Sequence, residues 1–303
     1  MEIIVRVTLA AIIASILSFH GLKKKSLSKS GAFAAFVIGF SSFSISYRFG
    51  VILILFYYTG SKLTKVKEDI KAKLEADFKK GGQRNAVQVF ANSILATAVA
   101  VFFCFYIGED CHIDFTNVNN MTQIWLFYLP RGKLAGYLWC LYLAHYSCAA
   151  ADTWASEIGI LSKTEPILIT TLRRVPSGTN GGISFLGTFA SAMGGTFIGC
   201  VFYLMSLFLK EGKANSPQYP MIIFCLICGC FGSLVDSLLG ATLQATYYSK
   251  EKKMIVKSAS TNDKSIVHIT GIDLLSNEAV NFFSILLTML FAIPLAPALF
   301  ALF

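Results

Sequence analysis

The chain has 303 residues, 55% hydrophobic and 14% charged, with a formal charge of +9 and a mean hydropathy of +0.62. A soluble domain of this length carries roughly 25% charged residues. That deficit, with several apolar runs of about 20 residues, excludes an ordinary globular enzyme, a disordered chain and a secreted disulfide scaffold. What remains is an all-α fold, a polytopic transmembrane helix bundle forming a single membrane domain over 1–303. Its basic excess belongs in cytosolic loops and needs no nucleic acid to explain it.

The first apolar run covers about 3–19. Its basic cluster Lys23-Lys24-Lys25 follows the apolar stretch, and no small-x-small cleavage site is apparent. It therefore reads as a retained, reverse-oriented anchor rather than a cleaved signal. The stretch 31–60 is apolar apart from Tyr47-Arg48. As one helix it would reach about 45 Å, too long for a ~30 Å bilayer core without strong tilt. As two, over about 31–46 and 49–60, it forms a short or re-entrant pair. Residues 61–85 form a cytosolic connection in which Leu63, Val66, Ile70 and Leu74 recur at helical spacing. This amphipathic helix, over 62–80, either lies on the membrane surface or is simply solvated. Further lipid-length helices are expected at about 86–107, 134–156, 183–209, 219–245 and 279–302, with cytosolic loops at 160–182 and 247–276. The total is about seven or eight membrane segments.

Charge decides between the two readings of 31–60. The loops 20–30, 61–85, 160–182 and 247–276 hold 20 of the 26 Lys and Arg. With a pair of segments all four loops share one side, a split of 20 against 5; with one long helix it is 16 against 9. The positive-inside rule selects the pair, with the N-terminus outside and the basic loops in the cytosol. The only Asn-x-Ser/Thr sequon, Asn120-Met121-Thr122, falls in loop 108–132 on the opposite side, where glycosylation occurs. That sequon, without any other address, points to the endoplasmic reticulum. Seven of the eight cysteines lie in apolar runs and read as small core hydrophobes.

Ionisable groups at membrane depth cost about 2.5–3.5 kcal/mol each. The acids in or beside predicted spans are Asp152, Glu157, Asp236 and Glu278, all near cytosolic helix ends, and their convergence suggests one water-accessible site. Asp152, Ser156 and Gly159 share a helix face, extended upstream by Cys148 and His145. His145 either pairs with Asp152 or is a satisfied core histidine. Glu157 stands about 140° around a regular helix from Asp152, so either the helix breaks near Gly159 or Glu157 has another partner. Gly232 and Gly240 stand one turn either side of Asp236, leaving a notch for a ligand or another backbone.

Between these segments lies Arg173-Arg174-Val175-Pro176-Ser177-Gly178-Thr179-Asn180-Gly181-Gly182. Gly-rich backbone after paired arginines, just before a helix, suits phosphate, because loop N–H groups cradle oxyanions and arginine donates in a bidentate fashion. No Gly-Lys-Ser/Thr follows, so it is not a Walker motif. Ser276 is positioned to cap the last helix. Asn277 and Asn281, one turn apart, either pack against the bundle or line the cavity.

The segments Ala151-Asp152-Thr153-Trp154-Ala155-Ser156-Glu157-Ile158-Gly159, Ser177-Gly178-Thr179-Asn180-Gly181-Gly182, Gly232-Ser233-Leu234-Val235-Asp236-Ser237 and Asn277-Glu278-Ala279-Val280-Asn281 together resemble an integral-membrane family. It contains the transmembrane protein 19 group and the plant phytyl-phosphate kinases, and the resemblance covers nearly the whole chain. It implies conversion of an isoprenyl monophosphate to the diphosphate by a nucleoside triphosphate, with CTP the expected donor. Individual roles rest on position and chemistry. Asp152 and Asp236, with Glu157, are the candidate catalytic residues and ligands of Mg²⁺. Arg173, Arg174, the 177–182 loop, Asn277 and Asn281 are the candidate substrate-binding set. Short, Gly-interrupted helices with buried acids also describe a secondary transporter of a small or lipid-like solute, whose acids belong near the bilayer midplane.

Overall fold

The computed structural model describes residues 2–74, 82–108, 131–208, 218–256 and 265–302. The helices are α1 (Glu2–Lys23), α2 (Lys29–Ile45), α3 (Tyr47–Thr64), α4 (Glu68–Lys71), α5 (Ala86–Ala91), α6 (Ile94–Tyr106), α7 (Arg131–Gly159), α8 (Phe185–Phe208), α9 (Pro220–Leu243) and α10 (Asn277–Phe300). The strands are β1 (Ile167–Leu168), β2 (Gly182–Ile183), β3 (Gln244–Ser249), β4 (Met254–Val256) and β5 (Ile266–Asp273). α1, α8, α9 and α10 are long and apolar enough to cross a bilayer, and α2 and α6 are shorter apolar helices. The protein is a polytopic helical membrane protein.

α7 is the axis of the bundle, packed against α3, α6, α8, α9 and α10. Because protein rather than lipid surrounds it, its middle tolerates polar and aromatic side chains: Trp139, Tyr142, His145, Tyr146 and Ser147 are all fully buried. The pair at 31–60 is two helices. Ser46, in an extended conformation, separates them, and its side chain accepts from Arg48 N, which opens α3. Each helix spans about 26 Å. The break therefore falls at Ser46 and not at Tyr47-Arg48. Arg48 is 1% exposed in the first turn of α3, its Cζ 4.4 Å from the Trp139 ring centroid and 5.6 Å from that of Phe202. Two aromatic faces thus supply part of what water would otherwise give the guanidinium.

Two other segments depart from the sequence reading. The run expected as one helix over 86–107 is α5 and α6, broken at Asn92 and Ser93. The amphipathic helix expected over 62–80 is, among the described residues, the end of α3 and the short α4. Lys67 turns the chain in a left-handed conformation (φ 50°) and aims Lys71 inward. Part of that segment, 75–81, lies outside the described residues, as does the Asn120 sequon.

The loop expected over 247–276 carries an antiparallel sheet of order β4-β3-β5, built from the β-branched and aromatic residues of Thr246-Tyr247-Tyr248 and Ile266-Val267-His268-Ile269-Thr270. The basic connections meet at one end of the bundle. Leu27 pairs with Arg84, with Ser28 N donating to Arg84 O at 2.9 Å. Ile255 N donates to Leu74 O at 2.9 Å, and Asn180 N to Thr246 Oγ1 at 3.2 Å.

Candidate functional site

At that end a polar cavity of about 410 Å³ opens among α5, α7, α8, α9, α10 and the 177–184 loop. Asp152 and Glu157 reach it from the last turns of α7, Asp236 from α9, and Asn277 and Asn281 from the first turns of α10. Ser177, Gly178, Thr179, Asn180, Gly181 and Gly182 close one side. The four segments that stood apart in the sequence therefore share one cavity. Arg173 and Arg174 do not line it: both are exposed, Arg174 bridging to Ile167 at the base of the loop.

Asp152 of α7 and Asp236 of α9 line the same cavity, close enough for their charges to interact. Ser284 Oγ of α10 donates to Asp236 Oδ2 at 3.1 Å and fixes that carboxyl group. Two carboxylates so close repel unless a cation or a proton lies between them. Among the described residues no group of three or more His, Cys, Asp or Glu side chains is placed to hold a metal.

α7 continues unbroken to Gly159, and Glu157 has another partner. Lys71 Nζ reaches Glu157 Oε2 at 2.6 Å, and Thr64 Oγ1 donates to Oε1 at 2.6 Å. Lys71 also donates to the carbonyls of Leu63 and Thr64 at 2.8 and 3.1 Å, so its ammonium is saturated. The glycines around Asp236 receive protein. Gly232 faces Cys148 and Thr288, while Gly240 faces the Gly181 amide and the Asn180 side chain.

The glycine loop is a packed turn. Thr179 N donates to Pro176 O, Asn180 N to Thr246 Oγ1 and Gly182 N to Thr179 O. The N–H groups of Ser177, Gly178 and Gly181 have no acceptor among the described residues. Gly178 and Gly181 both carry positive φ (89° and 74°), and a side chain at Gly181 would strike Ser237 O and Ala241 of α9. Ser184 closes the segment: its Oγ accepts from Gly187 N at 3.1 Å at the start of α8.

Three cavity residues escape the sequence reading. Arg84, just before α5, donates to Ser61 Oγ at 3.1 Å. Burial lowers its pKa from the usual arginine value, and the neighbouring Glu157 and Tyr57 oppose that fall; it stays charged. Gln88 and Asn92 follow one turn apart, Gln88 closing a capping box begun by Asn85 and Asn92 ending the helix. Asn281 Nδ2 donates to Asn92 Oδ1 at 3.4 Å, so Asn281 both lines the cavity and touches the bundle, while Asn277 lines the cavity. His145 is a buried core histidine that does not pair with Asp152: its Nε2 lies 2.9 Å from Asn92 O, while its Nδ1 has no partner among the described residues. The available signal was a run of amides opening a lipid-length helix, since amides in lipid need partners.

The family model described as "Integral membrane protein DUF92" matches residues 12–289. The chain belongs to this family. It is 38% identical over 287 residues to Protein PGR of Arabidopsis thaliana, covering 93% of each chain. It is 26% identical over 248 residues to the uncharacterized membrane protein MJ0933 of Methanocaldococcus jannaschii, covering 80% of this chain and 86% of that one. It is also 27% identical over 219 residues to the chloroplastic Protein VTE6 of Arabidopsis thaliana, covering 72% of this chain and 56% of that one. No solved structure matches the DUF92 chain significantly.

Proposed function

We propose that this protein is a membrane-embedded kinase that transfers a phosphoryl group from a nucleoside triphosphate, with CTP the expected donor, to an isoprenyl monophosphate at the cytosolic face. The observation that carries this reading is the pairing of Asp152 and Asp236 opposite a glycine loop with unused N–H groups, in one polar cavity beside Arg84. The motif resemblance to phytyl-phosphate kinases supports the substrate class. Mg²⁺ takes one or two protein carboxylates and completes its shell with water and phosphate, and the Asp152–Asp236 pair supplies that number, with Ser284 orienting Asp236. Held there, the ion would supply positive charge to offset that of the nucleotide phosphates.

The chain's own residues do the rest by positioning. The 177, 178 and 181 N–H groups and the Arg84 guanidinium hold phosphate oxygens, while the Asn277 and Asn281 amides orient them. An oxygen of the acceptor monophosphate attacks the γ-phosphorus, the bond to the β-phosphate oxygen breaks, and the nucleoside diphosphate leaves. The acceptor oxygen is already ionised, so no general base is required. Glu157, held by Lys71 and Thr64, anchors the cavity wall in this scheme instead of binding the cation.

Asp152 and Asp236 each stand seven residues, about 10 Å, from the helix ends that carry the basic loops. That favours a kinase over a carrier, whose acids belong at midplane. The test is radiolabelled CTP with purified protein, Mg²⁺ and a panel of prenyl monophosphates. Label should pass to the lipid, and Asp152→Asn or Asp236→Asn should abolish transfer while leaving the elution profile of the folded protein unchanged. Normal turnover by both variants would end the proposed role of the pair.

A further inference from the structure

A second cavity runs beside the polar one. This apolar cleft of about 100 Å³ lies between α1, α2, α3 and α5, lined among others by Ala14, Leu17, Ile38, Gly39, Leu53 and Phe56. Along α2 it extends from Ala35 to Phe43, about 12 Å at 1.5 Å per residue. Small residues create the room: the nearest atom to a side chain at Gly39 would be Ala14 Cβ, at 3.6 Å. The cleft adjoins the polar cavity: Arg84, Gln88, Asn92 and Thr153 line both.

The junction carries the argument. Arg84 is a cation set between an apolar slot and a polar chamber, and among the described residues it forms no ion pair. Glu157, the acid beside it, is taken by Lys71 and Thr64. Within a membrane an apolar slot attracts a hydrocarbon tail no better than the bilayer does. The tail is therefore selected by fit, and residence must come from the charged end. A single-tailed lipid with an anionic head meets both demands.

We infer that the α1–α2–α3–α5 cleft holds the tail of the lipid monophosphate and that Arg84 clamps its phosphate where the two cavities join. This rests on the reading of the polar cavity as the phosphoryl-transfer site, and it adds where the acceptor lies and which residue reads its charge.

The test uses the full-length purified protein without nucleotide. A 20-carbon prenyl monophosphate bearing a diazirine at the far end of its tail is photolysed on the protein, and the label is mapped by peptide mass spectrometry. Label is expected at Ile13, Ala14, Leu17 or Ser18, or within 35–43 or 53–57, displaced by unmodified prenyl monophosphate but not by the matching prenyl alcohol or inorganic phosphate at the same concentration. Gly39→Leu, which fills the cleft, should remove the label, and Ala35→Leu serves the same purpose should the first variant fail to fold. Arg84→Gln should weaken monophosphate binding about tenfold or more and leave alcohol binding unchanged, with Arg84→Lys recovering part of the loss. Label confined to the lipid-facing Ile12 and Ile16 and indifferent to both cleft variants, or equal displacement by the alcohol, would overturn the inference. Photolabelling needs no turnover, so intact cleft labelling without CTP-dependent transfer would sink the kinase and keep the tail site. Transfer with labelling elsewhere would sink the tail site alone.

Discussion

Glu157 shows how a side chain's role follows from what else reaches it. Its place in the sequence, five residues after Asp152, puts it off that residue's face, and the structure fills the vacancy with Lys71 and Thr64, both at 2.6 Å. Lys71 is 3% exposed and the Glu157 side chain 20% exposed, so removing Lys71 leaves a largely buried carboxylate without its counter-ion. Lys71→Met should destabilise the protein by about 2 kcal/mol, and adding Glu157→Gln should recover most of that loss, a coupling that a double-mutant cycle in denaturant titrations would measure. A cost for Lys71→Met within about 0.5 kcal/mol, the range of an ordinary surface change, would show that the pair does not hold the segment. The carboxylates themselves were legible because acids in apolar runs are rare and expensive. Lys71 and Arg84 were not, because each sits among many exposed basic residues of a loop, and only the fold turns these two inward.

Helix packing explains how the acids are held in register. α8 lies so close to α7 that a methyl at Gly194 would meet Ala150 O and Ala151 Cα at 2.9 Å. One residue on, Gly195 meets α9: a methyl at Gly229 would stand 2.8 Å from Gly195 Cα and 3.1 Å from Ala151 Cβ. Small residues let three backbones touch where hydrophobic burial offers little, since lipid is equally apolar. Gly229→Ala should cost about 1–3 kcal/mol by overpacking. Gly132→Ala, with nothing within 4 Å, should be neutral or stabilise by up to about 1 kcal/mol. Thermal unfolding of the two variants in one detergent makes the comparison, and equal effects would contradict the packing argument. The long helices were readable from length and hydropathy. The division into α5 and α6 was not, because Asn92 and Ser93 are only two polar residues ahead of a long apolar run, and the break they make lies in their backbone conformation.

Across the whole molecule, hydrogen bonds join the connections between helices. The α1–α2 turn binds the segment before α5, residues after α4 bind β4, and β3 binds the glycine loop. These same connections hold most of the chain's Lys and Arg, so the basic end and the polar cavity coincide, and under the proposed function phosphate would be drawn to a surface already positive. If that end faces the cytosol, as the positive-inside rule requires, Asn120 faces the lumen. Glycosidase treatment of protein made in secretory membranes should then increase its gel mobility, and Asn120→Gln should abolish the change. A new sequon accepted within 160–182 would reverse the orientation.

From the amino-acid order alone follow the membrane class, the two-segment reading of 31–60 and the identity of the costly acids. Each depends on local composition measured against the bilayer's fixed thickness and low polarity. Only the tertiary structure decides that Asp152 meets Asp236, that Glu157 turns to Lys71, that Arg173 and Arg174 stand outside the cavity, and that Arg84 takes the place at its edge. Those outcomes depend on which helix faces touch, and that is set by small residues and backbone breaks whose effect is felt across the bundle.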